Sequence, residues 1–245
     1  MHAPQYFRMY PGRFGLRELI QICRPVNPIS VSIAWSLDRL RIKPIPPNVL
    51  PHHANVLDCQ IMWENLPVVV QDYMKPRIEE VHALGFEELL LETQECVDGN
   101  NLLTTGYGAV LRSQDQQSLL NIAFSVHQSG VSQGLVSILS WTSESTLIAT
   151  IKGKKSFGGL GYSDNVYHPD AAVSEIVQIH KERVKSIGGP ARLIRSRDDL
   201  VASCNDCNRL WIEALSKKGV VEPIEFQAKR VDDASNPYAP PEILF

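Results

Sequence analysis

The sequence has no excess of positive charge and no long apolar run. Its 24 lysines and arginines are outnumbered by 27 aspartates and glutamates, and the net charge at pH 7 is -3. A protein that binds nucleic acid through phosphate contacts needs clustered basic side chains, and the densest cluster here is three lysines within residues 152–155. No segment approaches the roughly 18 consecutive apolar residues of a membrane-spanning helix. We therefore expect neither nucleic acid nor membrane as a partner.

Cysteine is scarce and unevenly spaced. The chain has five cysteines, an odd number, and no apolar segment of signal-peptide length near its start. Disulfide-stapled secreted domains usually carry an even number of cysteines at short spacings. We therefore expect reduced thiols and a cytoplasmic location.

Motifs that identify common catalytic and cofactor sites are also missing. The glycine-rich residues 153–161 have the spacing of neither a P-loop nor a dinucleotide-binding loop, and no G-x-S-x-G sequence marks a nucleophilic serine. Residues 52–59 include two histidines, an aspartate and a cysteine, but these zinc-compatible side chains match no zinc-binding spacing. The sequence therefore predicts no metal site and no cofactor.

The apolar period changes along the chain. Residues 67–84 repeat apolar side chains at helical spacing, whereas residues 86–152 hold five short strand-like runs separated by polar turns. In the clearest run, "LLNIAFSVH", large apolar residues alternate with small or polar ones, so one face should be apolar and the other solvated. Because short polar connections join antiparallel neighbours, we predict a five-stranded antiparallel meander.

Two further helices are predicted after these strands. Residues 171–187 form an apolar stripe that ends at Gly188, and this long helix is expected to cover the apolar face of the sheet. His180 lies on that stripe, where a hydrogen-bonded core histidine is the ordinary explanation. Residues 197–218 are predicted to form a C-terminal helix. The expected fold class is α+β.

Prolines divide the chain into three predicted parts. Four prolines within residues 44–51 disfavour regular structure, so residues 1–50 are predicted to be an N-terminal helical arm with a proline-rich linker. The α+β core domain is predicted over residues 51–222, followed by an extended or disordered tail over residues 223–245. Within the arm, residues 28–42 are compatible with strand or helix, and a preceding asparagine with a following proline favours a helix.

By the order of its elements, the predicted core is similar to the helix-grip and cystatin-like cone folds over residues 67–187. The resemblance implies an apolar pocket between a curved sheet and a helix. No motif accompanies the similarity, and fold alone does not establish function. We expect a module that binds a small apolar ligand, or a regulatory module, with its cavity between the sheet and the helix of residues 171–187.

Polar residues gather in the loop before that helix, at the expected mouth of the cavity. The predicted ligand-binding residues are Tyr162, Asp164, Tyr167, His168 and Asp170. The same residues 162–170 support a different expectation, an enzyme of unassigned chemistry such as a hydrolase, with His168 beside a carboxylate. A third expectation is a protein interaction module whose N-terminal arm docks on a protein partner or forms a homo-oligomer through an apolar patch that includes Trp35.

The segment "SCNDCNRLW" contains a C-x-x-C pair, Cys204 and Cys207. Apolar residues recur there every three or four positions, and both cysteines lie on that stripe. A redox pair would occupy a helix N-terminus, where the helix dipole lowers the thiol pKa, and a zinc site would need a second pair of ligands. We therefore expect both cysteines to pack in the core.

Overall fold

The structure is a computed structural model that describes residues 5–22, 27–97, 103–128, 130, 132–142, 146–153 and 163–225. Its strands are β1 (Gln5–Met9), β2 (Asn48–His52), β3 (Phe86–Val97), β4 (Leu103–Ser113), β5 (Leu119–His127), β6 (Ser132–Trp141), β7 (Leu147–Lys152), β8 (Ser163–Tyr167) and β9 (Val221–Ile224). Its α-helices are α1 (Leu16–Ile22), α2 (Pro28–Arg39), α3 (Val68–Ala83), α4 (Val173–Ser186) and α5 (Arg197–Lys217). No helix in these ranges combines the length and apolar character needed to cross a membrane.

The described strands form one mixed sheet of nine strands in the order β8-β7-β6-β5-β4-β3-β2-β1-β9. Neighbours are antiparallel except β7 and β8, which are parallel. Strands β3 to β7 are the five runs that the apolar period predicts. The predicted five-stranded meander covered by one long helix is nevertheless wrong, because β2, β1 and β9 extend the sheet on one side and β8 extends it on the other.

The additional strands are short, and two of them contain proline. Pro223 is tolerated because β9 is an edge strand. Pro51 lies inside the sheet, but among the described residues β2 pairs with β3 only at Val49 and Val97. Proline therefore removes few hydrogen bonds on that side. These prolines are also the reason that the sequence pattern predicted a linker and a tail at those positions.

Helices cover both faces of the sheet. Helices α3 and α4 pack on one face, in a cluster that includes Met74, Ile122 and Ile176. Helix α5 packs on the other face, where Cys204 and Trp141 belong to a second cluster. The helix-grip and cystatin-like shapes, with a single helix against a single face, are therefore wrong for this chain, whereas the α+β class is supported.

The N-terminal segment is continuous with the sheet, because β1 pairs with both β2 and β9. Residues 28–39 are helical, as the sequence favoured, and the Asn27 side chain accepts a hydrogen bond from the backbone N–H of Ile29 at 2.9 Å. Helices α1 and α2 pack with the C-terminal half of α5 in a third cluster that includes Phe14, Val31 and Leu215. The three-part domain division stays a prediction, and residues 226–245 lie outside the described residues.

Candidate functional site

The predicted loop residues lie along one edge of the sheet. Asp164 on β8 forms an ion pair with Arg183 of α4, with 2.9 Å between carboxylate and guanidinium. Tyr167, His168 and Asp170 line an open surface depression of about 320 Å³ before α4. Tyr162 lies outside the described residues. Ligand binding by this group stays a prediction.

The interface between α4 and the sheet, where the sequence predicted a cavity, is filled by side chains. Ile176, Val177 and Val184 are all buried there, with Ile176 0% exposed. The expected position of the cavity is therefore wrong: large aliphatic side chains from α4 and from the strands occupy the space.

His180 lies in the same packed interface and is confirmed as a hydrogen-bonded core residue. It is 1% exposed, with Nε2 2.9 Å from Ser140 Oγ and Nδ1 3.0 Å from Thr150 Oγ1. Burial, assisted by the positive charge of Arg183, lowers the pKa of His180 to about 4. Ser140 Oγ donates its proton to the Gln117 carbonyl at 2.7 Å, so this serine is not activated by the histidine.

A cavity of about 460 Å³ lies on the opposite face of the sheet, beneath α5. Small residues on the central strands form its floor: Gly106 and Gly108 on β4, and Ala123 on β5. Two residues of α5, Asn208 and Trp211, line it from above. Its volume falls within the range of about 300–1,000 Å³ that is typical of small-molecule sites.

The glycines of β4 explain why the sheet is hollow at this point. A Cβ atom at Gly108 would lie 2.7 Å from Oε1 of Glu92, so glycine leaves room for that carboxylate. A Cβ atom at Gly106 would meet only the backbone oxygen of Gln94, at 3.6 Å. The register places Glu92 opposite Gly108, and Gly108 opposite Ala123. The carboxylate therefore stands beside two adjacent positions with little or no side chain.

Helix α5 is anchored at both ends of the cavity. Its N-terminal half packs on the sheet through Leu200 and Cys204, and its C-terminal half packs through Ile212 and Leu215 against the β1, α1 and α2 region. Asn208 and Trp211 lie between these two anchors. Packing at both ends holds the helix over the sheet while the space between remains open.

The cavity is lined by polar groups that lack protein partners. The carboxylate of Glu92 has no hydrogen bond or ion pair with any described residue, and burial raises its pKa. Oδ1 of Asn121 and Nδ1 of His53 are buried, also without a partner in the described part of the chain. Leaving a buried polar group unpaired costs about 1–3 kcal/mol, so such groups are uncommon unless they serve a purpose.

Cys59 brings a thiol to the same cavity. The 3-10 turn Val56–Cys59 places it there, next to an isolated bridge between Gln60 and Glu92. Burial, with the negative charge of Glu92 adding to it, raises the pKa of the Cys59 thiol to about 12. This thiol therefore stays protonated at neutral pH and is a poor nucleophile.

The C-x-x-C pair behaves as a packing feature. Cys204 is buried in the cluster between α5 and the sheet, and Cys207 packs against that cluster, as predicted. Burial raises the pKa of both thiols, to about 12 for Cys207. Within the described residues, no group of three or more histidine, cysteine, aspartate and glutamate side chains is arranged to hold a metal ion.

Sequence reasoning considered Glu92 only as a conceivable acid–base partner of Glu88, and it placed neither Glu92 nor Asn121 in a cavity. The available signal was Gly106 and Gly108, two glycines at alternate positions of a predicted strand. Glycine in a strand weakens it and often marks a place where another group approaches closely. The glycines of "LTTGYGAVLR" did not suggest a site, because the polar face of the sheet was expected to meet solvent.

The apolar patch expected on the N-terminal arm is present in part. Ile29 and Ile33 of α2 are 68% and 56% exposed. Trp35 instead turns inward, and its indole N–H donates to the Phe14 carbonyl at 3.0 Å. Docking of the arm on a partner stays a prediction.

No model of a protein family, no curated protein and no solved structure matches the chain. What the protein binds is therefore inferred from the chemistry of the cavity.

Proposed function

We propose that the chain is a binding protein for a small polar molecule, held in the cavity between β3–β6 and α5. The observation that carries the proposal is the set of unpartnered polar groups on Glu92, Asn121 and His53 around a space of ligand size. A ligand that hydrogen-bonds these groups would remove the cost of leaving them unpaired. The sequence favoured an apolar ligand, but the unpaired polar groups favour one that can form hydrogen bonds.

Catalysis at the cavity has less support than binding. The Cys59 thiol is kept protonated by burial. The Ser125 hydroxyl, also in the lining, donates to the Gln133 carbonyl at 3.4 Å rather than to a base. Nucleophilic catalysis needs a thiolate or a hydroxyl paired with a base. The thiols of Cys59, Cys204 and Cys207 are not joined in disulfides, and on that ground we keep a cytoplasmic location as part of the proposal.

The test is a fragment screen by ligand-observed NMR, using amines, amides, carboxylates and alcohols of low molecular weight. Gly106→Val places a side chain in the cavity, where the added Cβ atom would make no contact closer than 3.6 Å. Thr105→Val is the matched control, because successive strand residues point to opposite faces and Thr105 is not part of the cavity lining. We expect fragments that bind wild type and Thr105→Val but lose binding to Gly106→Val, with thermal unfolding showing that both variants are folded. Equal binding to all three proteins, or no binding to wild type, would contradict the proposal.

A further inference from the structure

Two hydrogen-bond donors of the cavity lining already have acceptors within the protein. The amide nitrogen of Gln94 donates to the Pro51 carbonyl at 2.7 Å, and the Ser125 hydroxyl donates to the Gln133 carbonyl. Both donors are thus already used within the protein. The acceptor oxygens of Glu92 and Asn121, in contrast, have no partner among the described residues. N–H or O–H donors on a ligand would therefore give these oxygens the partners that they lack.

The charge of the cavity points the same way. Glu92 is the acidic side chain of the described lining, and no lysine or arginine is found among those lining residues. His52 does not readily supply a compensating charge, because burial and the nearby His53 lower its pKa. A buried carboxylate is stabilised only when a positive group or several donors pair with it.

We infer that the cavity binds a small organic cation, an amine, amidine or guanidine, whose N–H groups pair with the carboxylate of Glu92 and the amide oxygen of Asn121. This inference rests on the proposed binding function and specifies its ligand class. Amidinium and guanidinium groups match a carboxylate with two parallel N–H donors, as arginine does. Trp211 adds an indole ring to the same lining, and indole is the best aromatic partner for a cation.

Cation binding at Glu92 has a consequence for protons. Burial raises the pKa of this carboxyl group in the ligand-free protein, and a bound cation lowers it again. Binding therefore releases protons in the pH range where the free carboxyl group is partly protonated. Affinity for a permanently charged probe should rise with pH through that range, and the rise should disappear when Glu92 no longer ionises.

Two pairs of probes of nearly equal shape test the inference: benzamidine against benzamide, and butylguanidine against butylurea. Dissociation constants are measured by calorimetry or NMR for wild type, Glu92→Gln and the control Glu95→Gln. The control removes the same charge from an exposed position of the same strand. We expect at least one cationic probe to bind wild type and Glu95→Gln about tenfold or more tightly than its neutral partner, and Glu92→Gln to lose that preference and its pH dependence.

The failure of the inference can be told from the failure of the binding function. If benzamide or butylurea binds as tightly as its cationic partner, and Gly106→Val abolishes that binding, the cavity binds ligands but does not select cations. A cation preference that persists in Glu92→Gln overturns the role of Glu92. If neither the probes nor the screening fragments bind wild type, the proposed binding function is wrong as well. Glu92→Gln keeps the size of the side chain and removes a poorly stabilised charge, so its melting temperature should equal or exceed that of wild type, which excludes misfolding as a cause.

Discussion

Acidification should destabilise the protein through His180. The hydrogen bonds around this histidine indicate that it is neutral and that its proton is on Nε2. Arg183 donates to Thr150 Oγ1 at 2.9 Å, and the Thr150 hydroxyl then donates to Nδ1, while Nε2–H donates to Ser140 Oγ. Ser140 can accept that bond because its own proton goes to the Gln117 carbonyl. A second proton on the imidazole would face the Thr150 hydroxyl and the guanidinium of Arg183, so the folded protein resists protonation.

The size of the effect follows from the pKa of His180, which falls from an ordinary value of 6.5 to about 4 in the folded protein. Each pKa unit corresponds to about 1.4 kcal/mol, so the shift is equivalent to about 3 kcal/mol at most. Because the folded-state pKa is the lower one, the unfolded chain binds more protons between about pH 4 and 6.5. The contribution of His180 is therefore complete above pH 6.5 and is lost progressively as the pH falls toward 4.

The assay is urea unfolding at several pH values from 4 to 7.5, for wild type and His180→Gln. Glutamine retains an N–H donor for Ser140 but does not titrate, and it leaves the Thr150 hydroxyl without its acceptor. We expect the variant to be about 1–3 kcal/mol less stable at pH 7, with the difference shrinking toward pH 4. Glu92, with a raised pKa, and Glu18, with a lowered one, also change stability with pH, but they titrate in both proteins and cancel in the difference.

Two outcomes would refute this reasoning. Wild type and His180→Gln could lose stability in parallel between pH 6.5 and 4, which would show that other groups cause the loss. Alternatively, NMR titration of the His180 ring in the folded wild type could give a midpoint near 6.5. The NMR measurement needs no variant, so it tests the pKa even if His180→Gln does not fold.

Two packing predictions concern other parts of the core. Replacing Cys204 and Cys207 together by alanine should lower the free energy of unfolding by about 1–3 kcal/mol, because both thiols fill space beneath α5. Unchanged stability would contradict core packing. Because the pKa of both thiols is raised, they should also react slowly with alkylating agents in the folded wild type. Gly134→Ala should also cost about 1–3 kcal/mol, because its Cβ would collide with the ring of Tyr73. Gly106→Ala, whose Cβ enters the cavity, is the matched control and should stay within about 1 kcal/mol of wild type in the same denaturant titration.

The central elements of the fold were predictable because the apolar residues of each one repeat with the period of a strand or of a helix. Strands β3 to β7 and helices α3, α4 and α5 all lie where the apolar pattern predicts them. The flanking strands were not, because β1, β2, β8 and β9 have four or five residues each, and β1, β2 and β9 are stabilised by partners far away in sequence. Strand β1 (Gln5–Met9), for example, pairs with β2 (Asn48–His52) and with β9 (Val221–Ile224). Local sequence carries little information on such pairings.

The site was harder to predict than the fold, because a cavity depends on which helix covers which face. Alternation along β5 correctly separates Ile122 from Asn121, and it implies one apolar face and one polar face. It does not say whether the polar face meets solvent or a helix. From the sequence that face was expected to meet solvent, and the ligand was expected between the apolar face and the helix of residues 171–187, with residues 162–170 at the mouth.

The two covered faces differ because of what lies at alternate positions of the same strands. Toward α3 and α4, β4 and β5 present Ala109, Leu111, Ile122 and other buried side chains, and the helices settle onto a complete apolar layer. Toward α5, the residues next to Glu92 on the neighbouring strands are Gly108 on β4 and Ala123 on β5. Both are too small to reach the helix. The packing at either end of α5 holds the helix away from them, so a partly open cavity forms on the face that sequence alternation marks as polar. A strand pattern that normally indicates a solvated face can thus line a cavity when small residues interrupt it and a helix crosses above.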